Sequence, residues 1–237
     1  YVQSPERHPM DYRSAQLADR GLGNGTIGVE MDNYYFTAAA YASLQAHLPN
    51  ARFANSNALV NWQRAVKSDE ELMFIRRAAR ITENIVNLAI ERARPGLRKN
   101  ELVGDLLQAG TYGVGEDWGD YPAIGPLTPS GLDATAAHMT WDGREMQTGE
   151  ATFFELSGCY RRYHAPLRRT VPLGQPPQEM PDGSAALKEG TQDGHAAAEA
   201  ANRAGEMHKA PLDARNHAGI PRNRPRAHHN RASPAPA

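Results

Sequence analysis

Residues 137–170 read Ala-His-Met-Thr-Trp-Asp-Gly-Arg-Glu-Met-Gln-Thr-Gly-Glu-Ala-Thr-Phe-Phe-Glu-Leu-Ser-Gly-Cys-Tyr-Arg-Arg-Tyr-His-Ala-Pro-Leu-Arg-Arg-Thr, and their reading decides the fold. Two apolar-rich runs, Ala151 to Leu156 and Leu167 to Leu173, predict strands joined through a turn region at Tyr160 to Tyr163. An acid, Glu155, follows Phe153 and Phe154 into what is otherwise a buried apolar run. Burying an unpaired carboxylate is costly, so Glu155 needs either a partner or a task. The partner would be Arg161, Arg162 or Arg169; the task would be chemistry on a cationic substrate.

Working outward, Ser68-Asp-Glu-Glu71 forms a capping box, in which the Ser hydroxyl and the Glu carboxylate satisfy opposite backbone donors at a helix start. Leu72, Ile75, Ala79 and Val86, with Ile85 and Leu88 beside them, continue at helical spacing until Pro95-Gly96 stops the run. A second helix is expected over Glu101 to Ala109, and the four glycines between Gly110 and Gly119 predict a loop. Nearer the start, residues 26–31 carry a strand signal and Phe36 to Leu48 an Ala-rich helix ending at Pro49-Asn50. Arg52 to Asn55 reads as a strand and Leu59 to Ala65 as a short helix.

The fold class expected is therefore α/β (α+β). Residues 1–66 read as the tail of an N-terminal α/β domain, and residues 67–175 as helices followed by paired strands. Residues 176–207 hold a weak helical remnant, Ala-rich over 183–204 and interrupted by Gly190 and Gly194.

Residues 208–237 are different material. Residues 1–207 carry 20 Lys and Arg against 26 Asp and Glu, a formal −6, whereas residues 208–237 carry 6 against 1, a formal +5. Those last 30 residues hold five prolines, four His and only Leu212 and Ile220 as large aliphatics. Such a composition buries too little apolar surface to offset chain ordering. A frame-shifted end, a natural disordered tail and a nucleic-acid-binding arm all stay open, although the last lacks aromatic context, so no nucleic-acid partner is expected.

The 40% hydrophobic content contains no run near the ~18 apolar residues of a membrane span, so no membrane partner is expected. A single cysteine, Cys159, cannot form an internal disulfide and suits a reducing cytoplasm. The first residues, Tyr-Val-Gln-Ser-Pro-Glu, include neither an initiator Met nor a signal segment, which leads to the expectation of a fragment.

Several side chains could carry chemistry. His138 sits in a polar loop before Gly149-Glu150, and imidazole is the side chain suited to passing a proton near neutral pH. His164, beside Tyr163, could relay a proton or simply bond a backbone carbonyl. Trp62 and the Tyr34-Tyr35-Phe36 cluster offer aromatic faces to a small organic cation, or are ordinary interface residues. Asp120, in Asp120-Tyr121-Pro122, could supply a polar wall.

The stretch from His138 to Thr170 resembles the creatinase and aminopeptidase P family. Its metal-dependent members place a His, a Gly-Asp, an Asp-x-Gly strand and a second Asp before x-Thr-Arg-Thr. His138, Gly149, Arg169 and Thr170 fit that frame, but Glu155 stands for the first Asp, Ser157 for the Gly and Pro166 for the second Asp. Proline cannot bind a metal, and a pair of divalent ions needs bridging carboxylates. The resemblance therefore points to the family's metal-free branch, which includes creatinase and ectoine hydrolase, with no cofactor. The ectoine hydrolase side of that branch is favoured by Tyr1-Val-Gln-Ser-Pro-Glu-Arg-His, Ile27-Gly-Val-Glu-Met-Asp-Asn-Tyr-Tyr-Phe, Leu59-Val-Asn-Trp-Gln-Arg-Ala-Val-Lys-Ser, Gly119-Asp-Tyr-Pro-Ala-Ile, Thr152-Phe-Phe-Glu and Tyr163-His.

The resemblance spans residues 1–175. It implies the first half of a pita-bread catalytic domain, a small-molecule substrate and a homodimer for the intact family member. The implied chemistry is opening of a C–N bond in a cyclic amidine carboxylate. His138, Glu155 and His164 would be catalytic, and Trp62, Tyr35, Asp120 and Tyr163 substrate-binding, with no metal ligands. An Xaa-Pro peptidase or creatinase of the same family, and a non-catalytic relic or binding protein, are the competing readings.

Overall fold

The computed structural model describes residues 6–136, 138–176 and 179–198, together with positions 205, 209, 212 and 213. The chain divides into two compact units, Tyr1–Leu72 and Met73–Ala237. Among the described residues no helix is long and apolar enough to cross a membrane.

The first unit opens with α1 (Pro9–Asp19), which the sequence reading did not anticipate. Its start is set by Pro9 at the first helical position and by the His8 side chain, which accepts the Met10 N–H at 3.1 Å. Strands β1 (Thr26–Val29) and β2 (Arg52–Asn55) run parallel, with Thr26 beside Arg52 and Val29 beside Asn55. A parallel pair requires a crossover, and α2 (Ala38–His47) supplies it, capped by the Thr37 hydroxyl. A short α3 (Leu59–Gln63) follows.

The second unit is built on α4 (Asp69–Arg92), whose first turn straddles the division. The capping box is present: Glu71 N–H donates to the Ser68 hydroxyl at 3.3 Å and Ser68 N–H to the Glu71 carboxylate at 2.8 Å. The buried stripe of α4 is Ala78, Ile81, Thr82, Ile85, Val86 and Ala89. It passes through Ala78, where the sequence pattern pointed to Ala79, because the i, i+3, i+4, i+7 spacing closes on Ala78 and leaves Ala79 exposed. Helix α5 (Lys99–Tyr112) runs three residues past the expected end and stops at Gly113, whose φ of 73° suits glycine.

A single turn of 3-10 helix over Gly131–Thr135 precedes the strands β3 (Ala151–Tyr160) and β4 (Tyr163–Pro172). These are antiparallel and longer than expected at their turn ends, pairing continuously from Ala151 with Pro172 to Tyr160 with Tyr163. Phe154, Leu156 and Tyr160 on one face of β3 join Ile81, Ile85, Leu102 and Leu106 in the core. The other edge of β3 is covered too, since Leu127 and Glu155 exchange backbone bonds of 3.0 and 3.1 Å and Phe153 N–H donates to Pro129. Finally α6 (Glu179–Ala196) runs without interruption through Gly190 and Gly194. The expectation for residues 208–237 lies outside the described residues, save three positions.

The hairpin turns on two non-glycine residues with positive φ, Arg161 at 50° and Arg162 at 68°. That left-handed pair is the conformation of a two-residue turn in which Asn-Gly is favoured. Arg162 has a reason to be there: it donates to the Tyr121 carbonyl at 2.7 Å and lies over the Tyr121 ring. Arg161→Asn is therefore expected to raise stability by up to about 1 kcal/mol, since an L-residue in this region costs ~1–2 kcal/mol and Asn less than Arg. Urea unfolding of the two proteins checks it; a lower midpoint for the variant would contradict it.

Candidate functional site

In an antiparallel pair, directly opposite residues present their side chains on the same face. The register places Glu155 across from Arg168, Ser157 across from Pro166, and Cys159 across from His164. With Phe154, Leu156 and Tyr160 turned to the core, these six occupy the opposite face. There a cleft of about 250 Å³ is lined by Glu155, Ser157, His164 and Pro166 with Leu127 and Ile124.

Glu155 is the most constrained group in it. Its side chain is 18% exposed, and Oε2 lies 3.0 Å from Arg168 Nη2 and 3.7 Å from His138 Nε2. Arg168 Nη2 is in turn 3.5 Å from His138 Nε2. Oε2 is thus ion-paired with Arg168 and buried, although the pair does not have the geometry of a hydrogen bond.

His138 reaches this point from a loop and adopts a φ of 62°, unusual for a residue with a Cβ. Its side chain is 66% exposed. The loop is pinned by charge: buried Lys99 holds Asp142 at 2.8 Å and lies 3.9 Å from Asp133, while Arg144 bridges the same two carboxylates. The hydrogen bond from Lys99, the Arg144 backbone bond and the Arg144 side chain hold the Asp142 carboxyl well below the usual range, against opposition from burial. No sequence motif announced this clamp.

His164 lines the same cleft, and both its ring nitrogens are used. Nε2 accepts the Ala123 N–H at 3.0 Å and Nδ1 lies 3.1 Å from the Arg162 carbonyl, a pattern that fixes the neutral Nδ1–H tautomer. The arrangement ties the Ala123 loop to the hairpin. Tyr163 packs its ring 5.5 Å from Phe74 at the turn end of the hairpin. Asp120 accepts the Tyr121 N–H and lines a separate small cavity of about 50 Å³ with Cys159. Trp62 and Tyr35 belong to the first unit, where both are exposed and Tyr35 borders a hollow with Phe36, Glu30 and Val60. Thus Glu155 and His164 line one cleft and His138 lies 3.7 Å from Glu155, whereas Asp120 and Tyr163 do not line it.

Burial pushes the Cys159 thiol up, and the nearby Asp120 carboxylate adds to the shift. Since the thiolate is the reactive form, Cys159 should alkylate with iodoacetamide at pH 7.5 far more slowly than free cysteine. Reaction at the rate of free cysteine would contradict the buried placement.

The cleft does not fit a metal pair. One carboxylate, one imidazole, a serine and a proline face it, and the carboxylate already has a guanidinium beside it. A divalent cation would meet that positive charge with too few oxygen ligands to offset it. Among the described residues no three His, Cys, Asp or Glu side chains converge as a metal-binding group.

A helix pair packed on an antiparallel hairpin, with an acid turned into a cleft on the far face, is the arrangement this chain shares with the pita-bread class. Solved structures confirm the fold: an Xaa-Pro dipeptidase from Bacillus anthracis superposes with a TM-score of 0.76 at 21% identity, covering 92% of this chain and 59% of that one. A recombinant prolidase from Thermococcus sibiricus gives 0.78 at 16% identity over 92% of this chain and 58% of its own. The chain belongs to metallopeptidase family M24, whose model matches residues 74–230, well past residue 175 where the motif resemblance fades. Among curated relatives, an ectoine hydrolase of Halomonas elongata is 47% identical over 213 residues, 87% of this chain and 53% of that protein. An uncharacterized hydrolase/peptidase of Sinorhizobium fredii is 39% identical over 77% of this chain and 46% of its own length. The chain spans about half the length of these relatives.

Proposed function

We propose that the Glu155 cleft is part of a site that opens a C–N bond in a cyclic amidine carboxylate such as ectoine, without a metal. The observation that carries this reading is Glu155 itself, a carboxylate that lines the cleft, pairs with Arg168 at 3.0 Å and lies 3.7 Å from the imidazole of His138. A carboxylate in that position can pair with an amidinium while water adds to its central carbon, or attack that carbon itself as one C–N bond breaks, leaving an imidoyl ester that water then hydrolyses to the amide and free Glu155. His138, exposed on its outer side, can deliver a proton to the departing nitrogen. His164 acts here by holding the Ala123 loop at the cleft wall. The ectoine hydrolase relative supports the substrate class.

Family membership and the names of the solved neighbours favour a second reading, a metal-dependent Xaa-Pro peptidase. The donor set at Glu155, Ser157 and Pro166 speaks against it. Because the chain covers about half of its relatives, turnover by the whole protein, its substrate and its assembly into a homodimer are part of the proposal.

Calorimetric titration of the 237-residue chain with ectoine tests the reading. Glu155→Gln should weaken binding by at least about 10-fold, the worth of one charge-assisted hydrogen bond of ~1.5–3 kcal/mol, and a chelator should change nothing. Binding that vanishes with the chelator and returns with manganese, cobalt or zinc would overturn it in favour of the peptidase.

A further inference from the structure

Arg168 is the cationic neighbour of Glu155. It stands directly opposite Glu155 in the hairpin register, yet its side chain is 61% exposed. Its approaches to Glu155 and His138 both run through Nη2. Its guanidinium carbon lies 5.9 Å from the Phe153 ring centroid, so the group rests over an aromatic face at the mouth of the site. A guanidinium has five donors in a planar fork, and Nη1 and Nε have no protein acceptor among the described residues.

The arrangement is therefore an anion and a cation side by side, 3.0 Å apart, with the anion's oxygen buried and the cation's outer edge open. A lone cation would be attracted by Glu155 but repelled by Arg168. A lone anion would meet the reverse. A compact zwitterion carrying its carboxylate on the carbon next to a cationic nitrogen presents the complementary pattern, and only such a ligand satisfies both groups at once. An amidinium against Glu155 would bring the adjacent carboxylate to the outer edge of Arg168, where planar bidentate pairing is available.

We propose that Arg168 is a specificity-determining residue of the cleft, pairing with the carboxylate of a small amidinium carboxylate while Glu155 takes its cationic end. This rests on the reading of Glu155 proposed above and adds to it the element that selects zwitterions over simple amidines. The competing role, in which Arg168 merely holds Glu155 in place, makes a different prediction. A holding role affects all ligands of Glu155 alike, whereas carboxylate recognition affects only ligands that carry one.

Titrations of the 237-residue chain with ectoine and with the methyl-tetrahydropyrimidine that lacks only the carboxylate separate the two. The unaltered chain should prefer ectoine by about 10-fold or more. Arg168→Met should reduce that preference to within about twofold while leaving the uncarboxylated ligand bound at least as tightly, because a repulsive charge is gone. Arg168→Lys should restore part of the preference, as a point charge without the fork. Circular-dichroism melts of each variant guard against misfolding, and Arg168→Gln serves as a polar replacement should the Met variant fail to fold. A preference that survives Arg168→Met, or its absence in the unaltered chain, overturns the assignment of Arg168 while leaving Glu155 standing. Failure of the unaltered chain to bind either ligand overturns both.

Discussion

Gly158→Ala should destabilise the second unit by about 3 kcal/mol or more, at or beyond the upper end of ordinary overpacking. A Cβ at this position would lie 2.6 Å from the Ala78 carbonyl oxygen, 2.7 Å from the Thr82 nitrogen and 2.8 Å from the Ile81 Cβ. The first two are helix backbone, which cannot swing aside as a side-chain end can. The close approach also makes a polar joint. Gly158 N–H donates to the Thr82 hydroxyl at 2.8 Å, and that hydroxyl lies 2.6 Å from the Ala165 carbonyl on the partner strand. One buried threonine thus ties α4 to both strands, and pushing the helix away would break both of these buried bonds. Thr82→Val removes the joint without the clash and should cost less, about 1–3 kcal/mol. Urea unfolding followed by circular dichroism measures both; a Gly158→Ala midpoint equal to that of the unaltered chain would mean the helix and hairpin are not packed as described.

That joint shows where sequence reading stops. The helix beginning at Ser68 was legible because its signal is local: a capping box, apolar residues at helical spacing, then Pro95-Gly96. The β1–α2–β2 alternation was legible for the same reason. The face of α4 against the hairpin was misplaced by one position, at Ala79 instead of Ala78, because which residue is buried depends on the partner surface. Gly158 lies beyond Leu156, where the expected strand ended, and drew no reading of its own. Its requirement comes from a backbone 76 residues away through Thr82, and no window along the chain contains both. Helix α1 was missed because its cap is a histidine, outside the usual Ser, Thr, Asp and Asn set.

The site divides in the same manner. Glu155 stood out as a charge in an apolar run, and His138 by its place in a family frame; the structure brings the two within 3.7 Å. The salt-bridge partner was sought among Arg161, Arg162 and Arg169, yet it is Arg168. This was within reach. A two-residue turn at Arg161-Arg162 pairs Tyr160 with Tyr163, and counting back along both strands puts Arg168 opposite Glu155. Arg169 falls one residue out of register and so on the opposite face. Tyr35 and Trp62, expected near a substrate, sit in the first unit, and their link to the cleft is a matter of tertiary arrangement that periodicity does not address.

The 237-residue chain, although it presents Glu155 and His138 together, is expected to hydrolyse ectoine at least about 10³-fold more slowly than the Halomonas elongata enzyme, of which it spans 53%. Holding reactants in attack geometry is worth ~7–11 kcal/mol in favourable cases, and losing about half of that gives a deficit of this size. The cleft as described has one wall. Glu155 and the hairpin form its floor, Ile124 and Leu127 its side, and His138 faces outward with two thirds of its side chain exposed. The groups beside the carboxylate, Arg168 and His138, are themselves 61% and 66% exposed, and among the described residues nothing fixes the angle of a ring above it. Binding and turnover should therefore separate: ectoine is held by Glu155 and Arg168 but seldom reaches the geometry for C–N cleavage. Chromatographic detection of the open-chain acetylated diamino acid over hours, beside a calorimetric affinity, measures both quantities on one sample. Turnover comparable to the relative's would show that residues 176–237 close the cleft from the far side, and it would move the search for the missing wall into that segment.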